Sequence, residues 1–176
     1  MSCSRLQLTL AILKPDVTAR PHIVKEIKSM ILRKKFYFVE SKKMKLAQSE
    51  IETFYKEHEG KFFHNRLVNF MNSGSIWAHI LAREDCIKEW RKLMGPTKVL
   101  KTVFEEPNSI RGKFGLTDTR NCTHGSDSEE TAKREIKLFF PEFDEEKWRA
   151  NDEDYFINKK VKFDRKLNVH VPMKDS

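Results

Sequence analysis

The chain has 176 residues, with 34 Lys plus Arg against 26 Asp plus Glu and a formal net charge of +8. That length suits one domain, and 39% hydrophobic content with 13 Phe supports a buried core and excludes wholesale disorder. No stretch approaches the ~20 apolar residues of a membrane span, and three scattered cysteines (Cys3, Cys86, Cys122) exclude a disulfide framework or a four-Cys zinc site.

The charge is uneven. Residues 1–60 and 61–120 are each +5, whereas 121–176 are −2. No run of five or six like charges exists, which argues against an arm-like nucleic-acid tail. Nucleic acid, an anionic membrane surface and a small polyanionic substrate stay open as partners. Met1–Arg5 is too short for a secretory signal, and free thiols agree with an intracellular setting, cytoplasmic or mitochondrial.

Leu6, Leu8, Leu10 and Ile12 alternate with Gln7, Thr9 and Ala11, a strand that ends at the Lys14-Pro15-Asp16 breaker. Pro21 opens a helix whose Ile23, Ile27, Met30 and Ile31 recur every three to four positions. Phe36–Val39 reads as a second strand, and Ser49 begins a short helix with Ile51, Phe54 and Tyr55 on one side. A further helix fits Phe63–Met71, closed by the turn signal Asn72-Ser73-Gly74. Ile76–Ala82 reads as a third strand, and Glu84–Met94 as a helix stopped by Gly95-Pro96. Thr97–Asp118 shows no long periodic pattern and reads as a functional loop. Asn121–Gly125 is strand-like, and Ser126-Asp127-Ser128-Glu129 resembles a capping box opening a helix with Ala132, Ile136 and Phe139. This order predicts an α/β (α+β) fold, a ferredoxin-like split βαβ sandwich with a four-stranded antiparallel sheet covered by helices. Residues 1–141 would form the domain. Residues 142–176 would form an irregular extension packing on it or on a partner.

His124 ends the last strand, followed by Gly125 and a helix N-terminus. Glycine admits close approach of a ligand, and the helix start offers free amides where an anion could sit. A neutral imidazole there suits nucleophilic or acid–base work near pH 7. A lone histidine that merely ends a strand through a core hydrogen bond is the competing reading. Glu135, nine residues beyond Ser126, would serve His124 only if the fold turned it back.

The segment Asn121-Cys-Thr-His124-Gly-Ser126-Asp-Ser128 resembles the active-site signature NxxHGSDS of the nucleoside diphosphate kinase family. Leu13-Lys14-Pro15-Asp16 matches that family's IKPD, Arg91 to Thr97 its RxxxGxT, and Ser109-Ile110-Arg111-Gly112 its TIRG. Tyr55 to Phe63 matches its Tyr-containing helix and following Phe, and Asn72-Ser-Gly74 falls after it as in the family. The matches run in order from Leu6 to Phe140, and Leu116-Thr-Asp-Thr-Arg-Asn121 is most similar to the type 6 branch.

The resemblance implies a ping-pong transfer of the γ-phosphate of ATP, or of another nucleoside triphosphate, to a nucleoside diphosphate through a phosphohistidine. His124 would be the nucleophile, with Glu135 and Ser126 orienting it. Lys14, Arg91 and Arg111 would meet the phosphates, Thr97 would donate a hydroxyl, and Tyr55 its phenol near the nucleophile. Asn121 and Lys14 would reach the ribose, with Phe63 stacking on the base and Leu67 beside it. Mg²⁺ would bridge the nucleotide phosphates rather than occupy a protein cage; no metal-ligand spacing links the six histidines. On spacing alone, Tyr55, Phe63 and Leu67 are also suited to core packing, and Lys14 and Arg91 to solvated surface.

Thirteen residues, Lys98 to Ile110, separate Thr97 from Arg111, more than in the common hexameric members, which use this loop at subunit contacts. Asp118 stands where those members place a small apolar residue against the base, so a carboxylate over the purine is expected. Both departures, with Trp148, Tyr155 and Phe156 in the extension, keep a second function open. In it, a weakly active or inactive kinase-like module regulates a protein partner docked on the extension or on the 98–110 loop. A homo-oligomer stays open beside either function. Charge-driven nucleic-acid binding ranks below both.

Overall fold

The computed structural model describes residues 5–174. Cys3 and most of the Met1–Arg5 segment read for a signal lie outside the described residues. Alternating apolar residues form β1 (Gln7–Leu13), which is buried from Leu8 onward. Pro15, which reads as a breaker, instead opens the single turn α1 (Pro15–Thr18), because its fixed φ and missing N–H suit a first helical position. The chain continues through α2 (Pro21–Arg33), β2 (Tyr37–Met44), α3 (Gln48–Phe54), a 3-10 turn at Lys56–His58, α4 (His64–Asn72), β3 (Ile76–Arg83) and α5 (Cys86–Met94). β2 runs five residues beyond Val39. It is an edge strand with a register shift between Phe38 and Glu40, so its polar second half escapes a hydrophobic pattern.

The segment expected to be an irregular loop is largely helical: α6 (Val99–Glu105) and α7 (Ile110–Phe114). Each is too short to show two turns of apolar repeat, and Leu100 and Phe104 on α6 face solvent. β4 (Thr123–Gly125) and α8 (Glu129–Phe139) follow. The extension is not irregular either: it holds α9 (Glu145–Asn151), α10 (Glu153–Ile157) and the hairpin β5 (Val161–Asp164) with β6 (Val169–Pro172).

The sheet order is β2-β3-β1-β4, with every pairing antiparallel, the ferredoxin-like arrangement expected. Two cores flank it. One joins Leu10, Ile12, Ile80 and Met71 to Ile136, Phe139, Trp148 and Phe156. The other joins Leu13, Ile27, Phe36 and Phe38 to Trp90 and Met94. The extension contributes Trp148 and Phe156 to the first core, and Glu153 Oε1 accepts the Leu6 amide at 2.8 Å. The hairpin covers the free edge of β2, where His170 Nδ1 accepts the Phe38 amide at 2.9 Å. Cys86 and Cys122 are free and buried, and no helix among the described residues is long and apolar enough to cross a membrane.

Candidate active site

β4 lies beside β1, pairing His124 with Ile12, and this sets the histidine at the end of the sheet. The imidazole's Nε2 lies 3.1 and 3.0 Å from the two carboxylate oxygens of Glu135. Ser126 Oγ donates to Glu135 Oε1 at 2.7 Å while accepting the Leu10 amide at 3.3 Å. Glu135 and Ser126 are buried, and the His124 side chain is 24% exposed. α8 thus turns Glu135 back onto the strand. The capping box read at Ser126 does not form. Ser128 is the N-cap, its hydroxyl accepting the Thr131 amide at 3.1 Å, because the Ser126 hydroxyl is committed to Glu135.

The ring is fixed on other sides as well. Phe54 meets it edge-on with centroids 4.8 Å apart, and Trp90 Nε1 donates to the His124 carbonyl at 3.1 Å. Sequence spacing gave Phe54 only a core role, since an aromatic on a helix carries no sign of what it packs against. Gly125 is required by proximity: a Cβ there would lie 2.5 Å from Trp90 Cδ1 and 2.8 Å from Met94 Cε. Tyr55 is buried, and its hydroxyl has no partner among the described residues. Burial first, and then the Glu135 carboxylate, raise its pKa and keep it protonated.

A second cluster joins residues far apart in sequence. Cys122 adopts a left-handed φ of 75°. Its amide donates to Asp16 Oδ2 at 3.1 Å and its carbonyl accepts the Lys14 amide at 2.8 Å, binding the start of α1 to the turn before β4. Lys14 Nζ then donates to Asn121 Oδ1 at 2.7 Å. Burial, helped by the nearby Arg111 charge, lowers the Lys14 pKa to about 8. Arg111 is also buried, and it donates Nε to the Asn121 carbonyl (3.1 Å), Nη1 to Gly95 (2.7 Å) and Nη2 to Thr123 (2.9 Å). Burial lowers its pKa to about 10, with Arg91 adding to the fall.

A cleft of about 540 Å³ opens in front of His124 and is lined by Arg91, Lys92, Thr97, Glu106, Arg111 and Gly125. Of the residues singled out in the sequence, His124, Arg91, Thr97 and Arg111 therefore share one opening, Glu135 and Ser126 stand behind the imidazole, and Tyr55 is buried near the Glu135 charge. Phe63 and Leu67 are not brought in. Phe63 precedes α4 with its ring 5.4 Å from that of His58, and Leu67 packs partly into the core. Asp118 does not hang free over a base, because its Oδ1 accepts the Val99 amide at 3.0 Å. The lining suits a polyphosphate: Arg91, Lys92 and Arg111 outnumber its one carboxylate, Glu106.

A ferredoxin-like sheet that sets a carboxylate-held histidine at the mouth of a cationic cleft defines a class of α/β protein, and the comparisons name it. Residues 7–145 match the family model described as nucleoside diphosphate kinase, and the chain belongs to that family. It is 48% identical over 172 residues to nucleoside diphosphate kinase 6 of Danio rerio, covering 97% of this chain and 98% of that one. With the protein of the same name from Homo sapiens it shares 52% identity over 148 residues, covering 84% and 80%. Among solved structures, the nucleoside diphosphate kinase of Aquifex aeolicus superposes with a TM-score of 0.72 at 35% identity, covering 77% of this chain and 95% of that one. The halophilic enzyme of Halobacterium salinarum, solved in complex with CDP, superposes with a TM-score of 0.71 at 33% identity, covering 76% and 87%.

Proposed function

We propose that this chain is an active nucleoside diphosphate kinase of low base specificity, with His124 as the phosphate carrier. The observation that carries the reading is the Ser126–Glu135–His124 relay at the mouth of a cleft lined by Arg91 and Arg111. Glu135 engages Nε2, which fixes the proton there and leaves the Nδ1 lone pair for attack. Nδ1 forms a bond to the γ-phosphorus of a Mg²⁺-bound nucleoside triphosphate as the bond to the β,γ-bridging oxygen breaks, and the diphosphate departs with that electron pair. The second half-reaction is the reverse, with the terminal oxygen of an acceptor diphosphate as nucleophile. One site thereby serves donor and acceptor in turn.

Transfer asks mainly for positioning and charge neutralisation. Arg91, Arg111 and Lys14 supply the cations, Thr97 a hydroxyl and Tyr55 a phenolic donor. Lys14 and Asn121 face the ribose hydroxyls. Mg²⁺ would come with the substrate phosphates and help neutralise their charge, with no residue of this chain needed as its ligand. Phe63 and Leu67 lie outside the cleft lining, and the base they would meet is correspondingly left little discriminated.

Incubation with γ-labelled ATP should label His124 with acid-labile, base-stable phosphate. Unlabelled wild type, or equal label on His124→Ala, would sink the reading. A second reading, a weakly active module that contacts another protein, is favoured by Leu100 and Phe104, which are 81% and 83% exposed on α6. Sedimentation of Leu100→Lys beside wild type tests it: an unchanged monomer that turns over fast counts against it.

A further inference from the structure

We propose that Asp118 is a positioning residue for the nucleotide, joining the start of α6 to the buried cations Lys14 and Arg111. α6 begins behind Lys98, which makes no side-chain cap and whose ammonium cannot accept a hydrogen bond. A seven-residue helix with no acceptor at its N-terminus leaves its first amides bare. Asp118 supplies the acceptor from outside the helix, its Oδ1 taking the Val99 amide at 3.0 Å. Its negative charge also faces the positive end of the helix dipole.

The same residue continues the path inward. Its carbonyl accepts Asn121 Nδ2 at 2.9 Å, which orients the Asn121 side chain so that Oδ1 meets Lys14 Nζ at 2.7 Å. The Asn121 carbonyl in turn accepts Arg111 Nε at 3.1 Å. Thr97, on the rim of the cleft, immediately precedes Lys98, so the Asp118 cap also fixes that rim. One residue therefore connects α6 to Thr97, Lys14 and Arg111. Its consequence for nucleotides rests on the function proposed above, whereas the clip itself does not.

Two variants separate the acceptor from the chain position. Asp118→Asn keeps an acceptor oxygen, and Asp118→Leu keeps the shape without one. In nucleotide-free protein, Asp118→Leu is expected to speed hydrogen exchange at the Val99 amide. By calorimetry it should weaken ADP and CDP alike, by about three- to tenfold, the effect of losing a helix cap. Asp118→Asn should bind both within about twofold of wild type. Unchanged Val99 exchange in Asp118→Leu overturns the proposal. So does tighter binding of ADP than of CDP in that variant, which would place the carboxylate against the base, or Asp118→Asn binding as weakly as Asp118→Leu. Wild type that binds neither nucleotide would refute the kinase reading, while the exchange result would still decide the clip.

Discussion

Glu135→Gln tests the relay most directly. In the wild type the carboxylate meets Nε2 at 3.0 and 3.1 Å and takes the Ser126 hydroxyl at 2.7 Å. Glutamine keeps the size, loses the charge, and introduces an N–H₂ that must face one of two donors. A hydrogen bond to a charged group contributes about 1.5–3 kcal/mol. The imidazole is 24% exposed, so water recovers part of that loss, and the lower half of the range, ~1.5–2 kcal/mol, is appropriate. This corresponds to a roughly 10–30-fold slower formation of phosphohistidine. Rapid-quench labelling with γ-labelled ATP measures the step in a single turnover, and nucleotide affinity should scarcely move, because Glu135 stands behind the ring. A labelling rate within about twofold of wild type would refute the relay, as would a change confined to affinity.

Lys14, held near 8 by burial, loses its charge as pH rises through about 8. ADP affinity should fall across that window in the wild type and show no such step in Lys14→Gln. Stability moves the other way: between about 8 and the ordinary 10.5 the unfolded chain keeps a proton the folded one has shed. Urea titrations at both ends should therefore show wild type gaining on Lys14→Gln as pH rises. Tyr55→Phe removes a buried hydroxyl without a partner, a group that costs about 1–3 kcal/mol. Its melting temperature should be equal or higher while phosphotransfer slows, and a clear drop in melting temperature would mean the hydroxyl is already satisfied. Gly125→Ala drives a methyl against the buried Trp90 ring at 2.5 Å. Overpacking of about 1–3 kcal/mol should lower the melting temperature by several degrees in a thermal scan, and an unchanged melt would show that Trp90 can yield.

The sheet was legible because its strands carry their own signal. β1 and β3 alternate or run apolar, and their bounds fall within one residue of those expected from sequence. α6 and α7 were not, since five to seven residues cannot display a helical period and the exposed Leu100 and Phe104 contradict any inward face. The extension escaped for a related reason. Its hairpin is half-buried apart from the exposed Lys162 and is held by contacts to β2 far back in the sequence, such as that of His170 with the Phe38 amide. In the candidate site, His124 was legible through the motif and Glu135 only through the family resemblance, and both are silent on which groups already have partners. Asp118 is the clearest instance: its position suggested a contact with the base, and a helix lacking its own cap claimed the carboxylate.

The cations proposed to meet the phosphates differ in how much of their hydrogen-bonding capacity remains. A guanidinium has five N–H donors, and backbone carbonyls take three from Arg111. It can offer a phosphate at most two and cannot swing without breaking Gly95, Asn121 and Thr123 loose from one another. Lys14 is likewise tied to Asn121. Arg91 is exposed at the same opening. The buried pair is therefore held in place and braces the turn that carries His124, whereas on the proposed function the exposed Arg91 would close a bidentate fork on the transferring group. On the proposed function, donor and acceptor would meet the same held charges, and exposed Arg91 would be the side chain left to follow the phosphoryl group. Replacing Arg111 should accordingly damage the fold around His124 as much as substrate affinity, whereas replacing Arg91 should spare the fold.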